Sequence, residues 1–369
     1  MTVETRGESM KSQITMKDMA RHFGVSLNTI HKAIAGKPGV SEATRKKIMD
    51  YADANGYKLN AMASFLKRKN IKIAVCLPEL DEDSKYFYSY IWQGYRKYMA
   101  EWGDLNIQVL EIPYKKGNLI ETLRQLETEC EGSDKLDGLL TAPPRDEAGI
   151  HVIRQFTDKG VCVVFVTGDN DECGRLGTVV GDYYAAGQIM AEQICNILKE
   201  KSRILLMAGD QYKDSHYLVA KGFHEYIRQS RAEYAIEDLF GYYESDRLDE
   251  SIMQTLTRNP PDAVCCVFAR GSAVLYKALK SSGMAGKLPV IANDVFDENV
   301  AALKDGTFTN LVFKDPYKQA YLAMKMLCEY LLKDMEPKDR VRKVEIVLIF
   351  KSNVNYYWKN IEDMQYLRL

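Results

Sequence analysis

Much that would mark an exported, metal-bound or catalytic chain is missing. No apolar run approaches the roughly 18 to 20 residues that cross a bilayer, and "MTVETRGESMKSQ" lacks the apolar core of a secretory leader, so neither a spanning nor an exported protein is expected. The eight cysteines form no CxxC pair and lie away from the five histidines, which argues against zinc. Several sit in apolar runs such as "VCVVFV" and "AVCCVF", as inert buried thiols would in a reducing cytoplasm. There is no GxSxG, no P-loop, no HExxH and no GxGxxG after the first strand. Neither an enzyme nor a cofactor is expected.

What is present points first to several folding units. A chain of 369 residues exceeds one ordinary core, and its 46% hydrophobic and 27% charged residues fit a globular protein and not a disordered one. The net charge of −1 conceals an uneven distribution: residues 11 to 70 carry twelve Lys and Arg against four Asp and Glu. Subtraction leaves about −8 for residues 71 to 369. A basic head precedes an acidic body.

Residues 1–12 are polar and are expected to be a disordered tail. From Thr15 to Gly56 the helical period appears three times. Thr15 caps a first helix with Met16, Met19, Ala20 and Phe23 on one face, and Gly24 ends it. Ser26 caps a second, with Ile30, Ala33 and Ile34 inward, and "AGKPG" breaks it. Ser41 caps a third, with Thr44, Ile48, Tyr51 and Ala52 on one face. Two helices that cross closely need a small residue at the crossing and a glycine at the turn, as Ala20 and Gly24 supply. Periodicity alone leaves a plain helical hairpin open; the charge surplus favours DNA, because neutralising phosphates releases counterions.

After "YKLNAMASFLKRKN" the period changes. "IKIAVCLP", "NIQVLEIPY", "DGLLTAPP", "VCVVFVTGD", "SRILLMAGD", "AIEDLFGYY", "DAVCCVFA" and "LPVIAND" read as strands, alternating with helical segments such as "YFYSYIWQGYRKYMAEWG" and "YLVAKGFHEYIRQ". Strands apolar throughout imply parallel sheets covered on both faces. Nearly 300 residues of this pattern suit two Rossmann-like subdomains with a cleft beyond the strands' carboxyl ends.

The segment "ITMKDMARHFGVSLNTIHKAIAGKPGVSEATRKKIMDYADANGYKLNAMASFLKRK" resembles the DNA-binding head of the lactose/galactose repressor family, and "PVIAND" and "KDPYKQAYLAMKML" resemble its effector body. The likeness spans residues 14 to about 353. It implies an α/β chain: an all-α helix-turn-helix head at 13–58 and a hinge helix at 59–70, joined to a periplasmic-binding-protein-like body at 71–369. Within that body the N-subdomain is expected at about 71–180 and 311–335, and the C-subdomain at about 181–310 and 336–369.

The resemblance also implies roles. Leu27, Asn28 and Lys32 would read the major groove, while Thr15, Ser26, Thr29 and His31 would touch phosphates or the groove rim. Asn60, Ala61 and Ala63 would form the hinge, with Leu66 as a minor-groove wedge. Lys32 and His31 stand where the family usually has arginine and serine, Ala35 replaces a common asparagine, and Leu59 replaces the proline before the hinge. In the body, Asp294 would bind a sugar hydroxyl, and Tyr86, Phe87 and Tyr88 would supply aromatic contacts. Asp182 would either meet the ligand or cap the helix after it. Val219 replaces a family arginine and Arg270-Gly271 an Asn-Asp pair, so Arg270 would grip an acidic ligand group or pair with a cleft carboxylate.

The function implied is a cytoplasmic, homodimeric transcription regulator. It would bind near-palindromic, double-stranded operator DNA and respond to a sugar-like effector, without a membrane partner. A transporter's solute-binding protein and an enzyme acting on sugars or nucleosides are the rivals.

Overall fold

The computed structural model describes residues 14, 16–34, 39–55, 70–82, 84–101, 106–130, 135–230, 233–241 and 247–363. The tail expected at 1–12 and nearly all of the hinge expected at 59–70 lie outside these, as do Thr15, Ala35, Leu59, Asn60, Ala61, Ala63 and Leu66. The chain divides into two compact units.

The N-terminal unit holds helices α1 (Met16–Phe23), α2 (Leu27–Ile34) and α3 (Glu42–Ala54). Gly24 takes φ +60°, and the Val25 N–H donates to the Ala20 carbonyl at 3.1 Å, the six-to-one bond of a Schellman ending. The four-residue spacing of Ala20 and Gly24 therefore marks a helix stop as well as a crossing. Ser26 Oγ accepts from the Thr29 N–H at 3.1 Å, and Ser41 Oγ accepts from the Thr44 N–H at 3.2 Å, so both expected caps form. Arg45 of α3 donates to the Ala33 carbonyl at 3.0 Å, satisfying the carboxyl end of α2. Met19, Ile30, Ala33, Ile34, Ile48 and Ala52 form the core.

The body alternates strand and helix. Its first half comprises β1 (Ile71–Pro78), α4 (Lys85–Ala100), β2 (Ile107–Tyr114), α5 (Leu119–Glu129), β3 (Gly138–Thr141), α6 (Glu147–Asp158), β4 (Cys162–Val166) and β5 (Gly177–Gly181). Then follow α7 (Tyr183–Ile197), β6 (Arg203–Gly209), α8 (Asp214–Ser230), β7 (Ala235–Phe240), α9 (Leu248–Arg258), β8 (Ala263–Cys266), α10 (Ala269–Ser281), β9 (Val290–Asn293), α11 (Asp297–Lys304) and β10 (Asn310–Phe313). The last elements are α12 (Pro316–Lys333), β11 (Val341–Val344), β12 (Val347–Ile349) and α13 (Val354–Asp363).

Two six-stranded sheets result, ordered β11-β5-β4-β3-β1-β2 and β12-β10-β9-β8-β6-β7. The two sheets share one plan: the strand order turns back between β1 and β3 in the first and between β6 and β8 in the second. Crevices beyond the carboxyl ends of strands at such switch points receive ligands. β3 and β8 are buried at every position, as strands covered on both faces must be. Among the described pairings β12 with β10 is the antiparallel one.

Two expected subdomain boundaries move. β10 pairs with β9 in the second sheet, although residues from 311 onward were expected in the first subdomain. β11 pairs with β5 in the first sheet, although 336–369 were expected in the second. The cause is pairing: the apolar "NLVF" needs a neighbour in the second sheet, and α12 then packs back on α4 and β4. The chain thus crosses between the sheets three times, after β5, after β10 and after β11. In the second subdomain α7 and α8 meet closely at Gly222, where any Cβ would overlap the Tyr184 carbonyl oxygen.

Candidate functional site

Ile30, Ala33 and Ile34 bury the inner side of α2, which turns its first residues outward: Leu27 is 45% exposed and Asn28 is exposed beside it. Ser26 and Thr29 join through their hydroxyls at 2.8 Å at the helix start, and Lys32, one turn on from Asn28, is partly exposed. His31 lies in α2, but its side chain falls outside the described residues.

The body holds a small cavity between its subdomains, about 30 Å³ in volume and partly open to solvent. The first subdomain lines it with Phe87, Tyr88 and Thr167. The second contributes Tyr183, Lys213, Ser215, His216 and the run Phe268–Arg270, with Lys314 entering from the second crossover. Each follows the carboxyl end of a strand, which is why two sheets of the same plan converge there. Thr167 holds φ +69°, a rare conformation for a β-branched residue and a mark of local strain at the cavity edge.

Of the six expected ligand residues, three line this cavity: Phe87, Tyr88 and Arg270. Tyr86 turns away, its ring 4.8 Å from that of Phe296, and it packs with Phe87 and Tyr90 against Ala269 and Ala273 as a contact bridging the subdomains. Asp294 is 1% exposed and forms an ion pair with Lys314 at 3.2 Å, while the Lys314 backbone N–H donates to its other oxygen at 3.3 Å. Burial lifts the Asp294 carboxyl above its ordinary range, against the pull of Lys314. It stands behind the wall, and Lys314 is what reaches the cavity. Asp182 caps α7, accepting from the Ala185 N–H at 3.3 Å, and pairs with Lys343 at 3.1 Å. Of the two roles left open for it, the cap is the one its contacts fill, and the Lys343 pair ties the first crossover to β11.

His216 is the group that sequence reasoning overlooked. Burial holds its imidazole well below the ordinary range, so the ring is neutral, and Nδ1 accepts from the Asp210 N–H at 3.1 Å. Its ring stacks on Phe268 at 5.2 Å. Arg145 of the first subdomain reaches Asp214 of the second at 3.6 Å, a further contact across the cleft. Lys213, His216 and Lys314 could have been found by one rule, since each lies within a few residues of the end of an apolar strand in "LLMAGDQYKDSH" and "NLVFK".

Among the described residues no group of acids, histidines and thiols is placed to hold a metal ion, and no helix is long and apolar enough to cross a membrane. Residues 15–60 match the family of bacterial regulatory proteins called lacI, and residues 73–334 match the periplasmic binding protein domain. Catabolite control protein A of Staphylococcus xylosus is 22% identical over 274 residues, 73% of this chain and 78% of its own. A Bacteroides fragilis protein assigned as a LacI transcriptional regulator superposes with a TM-score of 0.67 at 17% identity, covering 78% of this chain and 100% of its own. A transporter solute-binding protein of Burkholderia graminis C4D1M, in complex with D-arabinose, gives 0.69 at 18% identity over 79% and 98%. Those two likenesses establish the fold of the body, which regulators and transport proteins share; the head distinguishes them. The chain belongs to the lacI family of bacterial regulatory proteins and is a LacI-type transcriptional regulator.

Proposed function

We propose that two copies of the chain bind a near-palindromic operator as a cytoplasmic repressor, released or recruited by a sugar-like effector held in the body. The supporting observation is the outward turn of Leu27 and Asn28 above a core that fully engages the other side of α2. Leu27, Asn28 and Lys32 read base edges: an asparagine suits the paired donor and acceptor of adenine, and a lysine suits guanine. Thr15, Ser26, Thr29 and His31 touch phosphates or the groove rim, and phosphate contacts fix register without carrying sequence information. Asn60 and Ala63 bring the hinge to the minor groove, where Leu66 unstacks one base step. Twofold pairing of protomers matches the symmetry of the operator.

In the body, Phe87 and Tyr88 pack on the effector and Arg270 binds its polar end, with no chemistry done on it. Lys314 takes the direct contact expected of Asp294. The three crossovers let the subdomains change angle, and effector affinity and operator affinity then depend on one another by linkage. A thermal-shift screen of the full chain against sugars, sugar acids and nucleosides, followed by operator titration with each hit, tests this. A hit that shifts operator affinity by about 5- to 150-fold is expected. Hits that bind the cleft and leave operator affinity unchanged would defeat the proposal.

A further inference from the structure

Aromatic side chains of the first subdomain press on the second beside the cavity. Tyr86 and Tyr90 stand one turn apart on α4, hence on one face of it, and Ala269 and Ala273 stand one turn apart on α10. Two small residues so spaced leave room for rings. Tyr86, Phe87 and Tyr90 pack there together with Phe296, and Ala269, Ala273 and Phe296 are all buried. The Tyr86 and Phe296 rings lie 4.8 Å apart. Phe87 and Ala269 belong both to this cluster and to the cavity wall, so the two are continuous.

The rings stand on a well-fixed turn. Before α4 the Ser84 N–H donates to Asp81 Oδ1 at 2.7 Å, the Asp81 N–H donates to Ser84 Oγ at 3.0 Å, and the Ser84 hydroxyl donates to the Glu79 carbonyl at 2.6 Å. Parting the subdomains would wet Phe296 and the two alanines, and the cost of hydrating apolar surface favours closure. The Arg145–Asp214 pair, at 3.6 Å and about half exposed on both sides, adds little. The cavity alongside is about 30 Å³, against the roughly 300 Å³ or more of a small-molecule site. A sugar-sized molecule fits only if the walls part.

Resting on the effector reading above, we propose that Tyr86, Tyr90 and Phe296 form a latch that holds the cleft shut through the chain's own contacts, and that the effector acts by parting it. The effector's apparent affinity is then its intrinsic affinity reduced by the fraction of open molecules. Loss of the latch acts on the operator as the effector does.

Hydrogen exchange of the full chain with no sugar added tests the latch by itself, so the result does not depend on the effector's identity. Each alanine variant is read across the cleft from the residue changed: residues 272–276 of α10 in Tyr86→Ala, and residues 88–92 of α4 in Phe296→Ala. Those amides should exchange roughly threefold to tenfold faster than in wild type, with β3 and β8 unchanged. Tyr86→Phe keeps the ring and should match wild type. Phe296→Leu, which keeps an apolar group in place without the ring, carries the same test if an alanine variant also loses protection in β3 and β8. The second readout is affinity for a duplex enriched by the chain from a random pool. Both alanine variants should shift it by about 5- to 150-fold in one direction, and Tyr86→Phe should leave it unmoved. Unchanged exchange across the cleft, or faster exchange with unchanged duplex affinity, overturns the proposal. A sugar that binds and shifts duplex affinity in variants with unchanged exchange would refute the latch and leave the effector reading standing.

Discussion

The head and the body use the start of a helix in opposite ways. In the head, α2 begins with the Thr29 N–H met by Ser26 Oγ and with Leu27 and Asn28 turned out. In the body, α10 begins behind Phe268, without a side-chain cap, and its first turn faces a cavity with Arg270. A capped, exposed terminus can be pressed against a macromolecule because its shape is already fixed. The core sizes follow: the buried head core is one small cluster, whereas the second subdomain alone buries one of several times that number.

That contrast sets the scale of the effects expected from substitution. Ile30→Ala removes a fully buried side chain from the small head core and should cost about 2–5 kcal/mol. Operator binding should vanish in gel-shift assays while effector binding by the body persists, so joint loss would show that the two units do not fold apart. Lys32→Ala should relax discrimination at one base pair by about 1–3 kcal/mol, read from affinities for single-substituted operators. A uniform loss over all sequences would make Lys32 a phosphate contact. Ser26→Ala removes the cap of α2 and should cost about 1 kcal/mol, seen as a lower denaturation midpoint of the head with the body unaltered.

The smallest effect concerns acid. Burial keeps the folded His216 pKa well below its ordinary 6.5, so below that pH the unfolded chain binds more protons than the folded one. Stability from the neutral ring is therefore complete above about pH 6.5 and falls as pH drops beneath it. Melting curves of wild type and His216→Gln taken roughly one pH unit above and one below the ordinary value should converge toward acid. A constant difference would mean that His216 is charged in the fold.

The head was the more legible region, because its information is local. Caps, the Gly24 stop and inward periodicity act within a few residues, and Ser26, Ser41, Ile30 and Ile48 took the places that spacing assigns them. The strand and helix alternation of the body was legible for the same reason. The subdomain boundaries after residue 310 were not, since the partner of β10 or β11 is chosen by sheet pairing across long sequence distances. The cleft was half legible. Phe87, Tyr88 and Arg270 follow strand ends and line it, but nothing near Asp294 in sequence reveals that Lys314, twenty residues away, covers its carboxylate. Ion pairs between crossovers are tertiary facts.

The central claim is that the head reads DNA sequence through α2. Selection of the full chain against a pool of random duplexes, followed by titration of the enriched sequence, tests it most directly. One near-palindromic site bound about 10³-fold or more tighter than unrelated duplex is expected, with discrimination lost in the Leu27→Ala, Asn28→Ala double variant. Enrichment with no common sequence, or a double variant that selects the same site with the same preference, would contradict it.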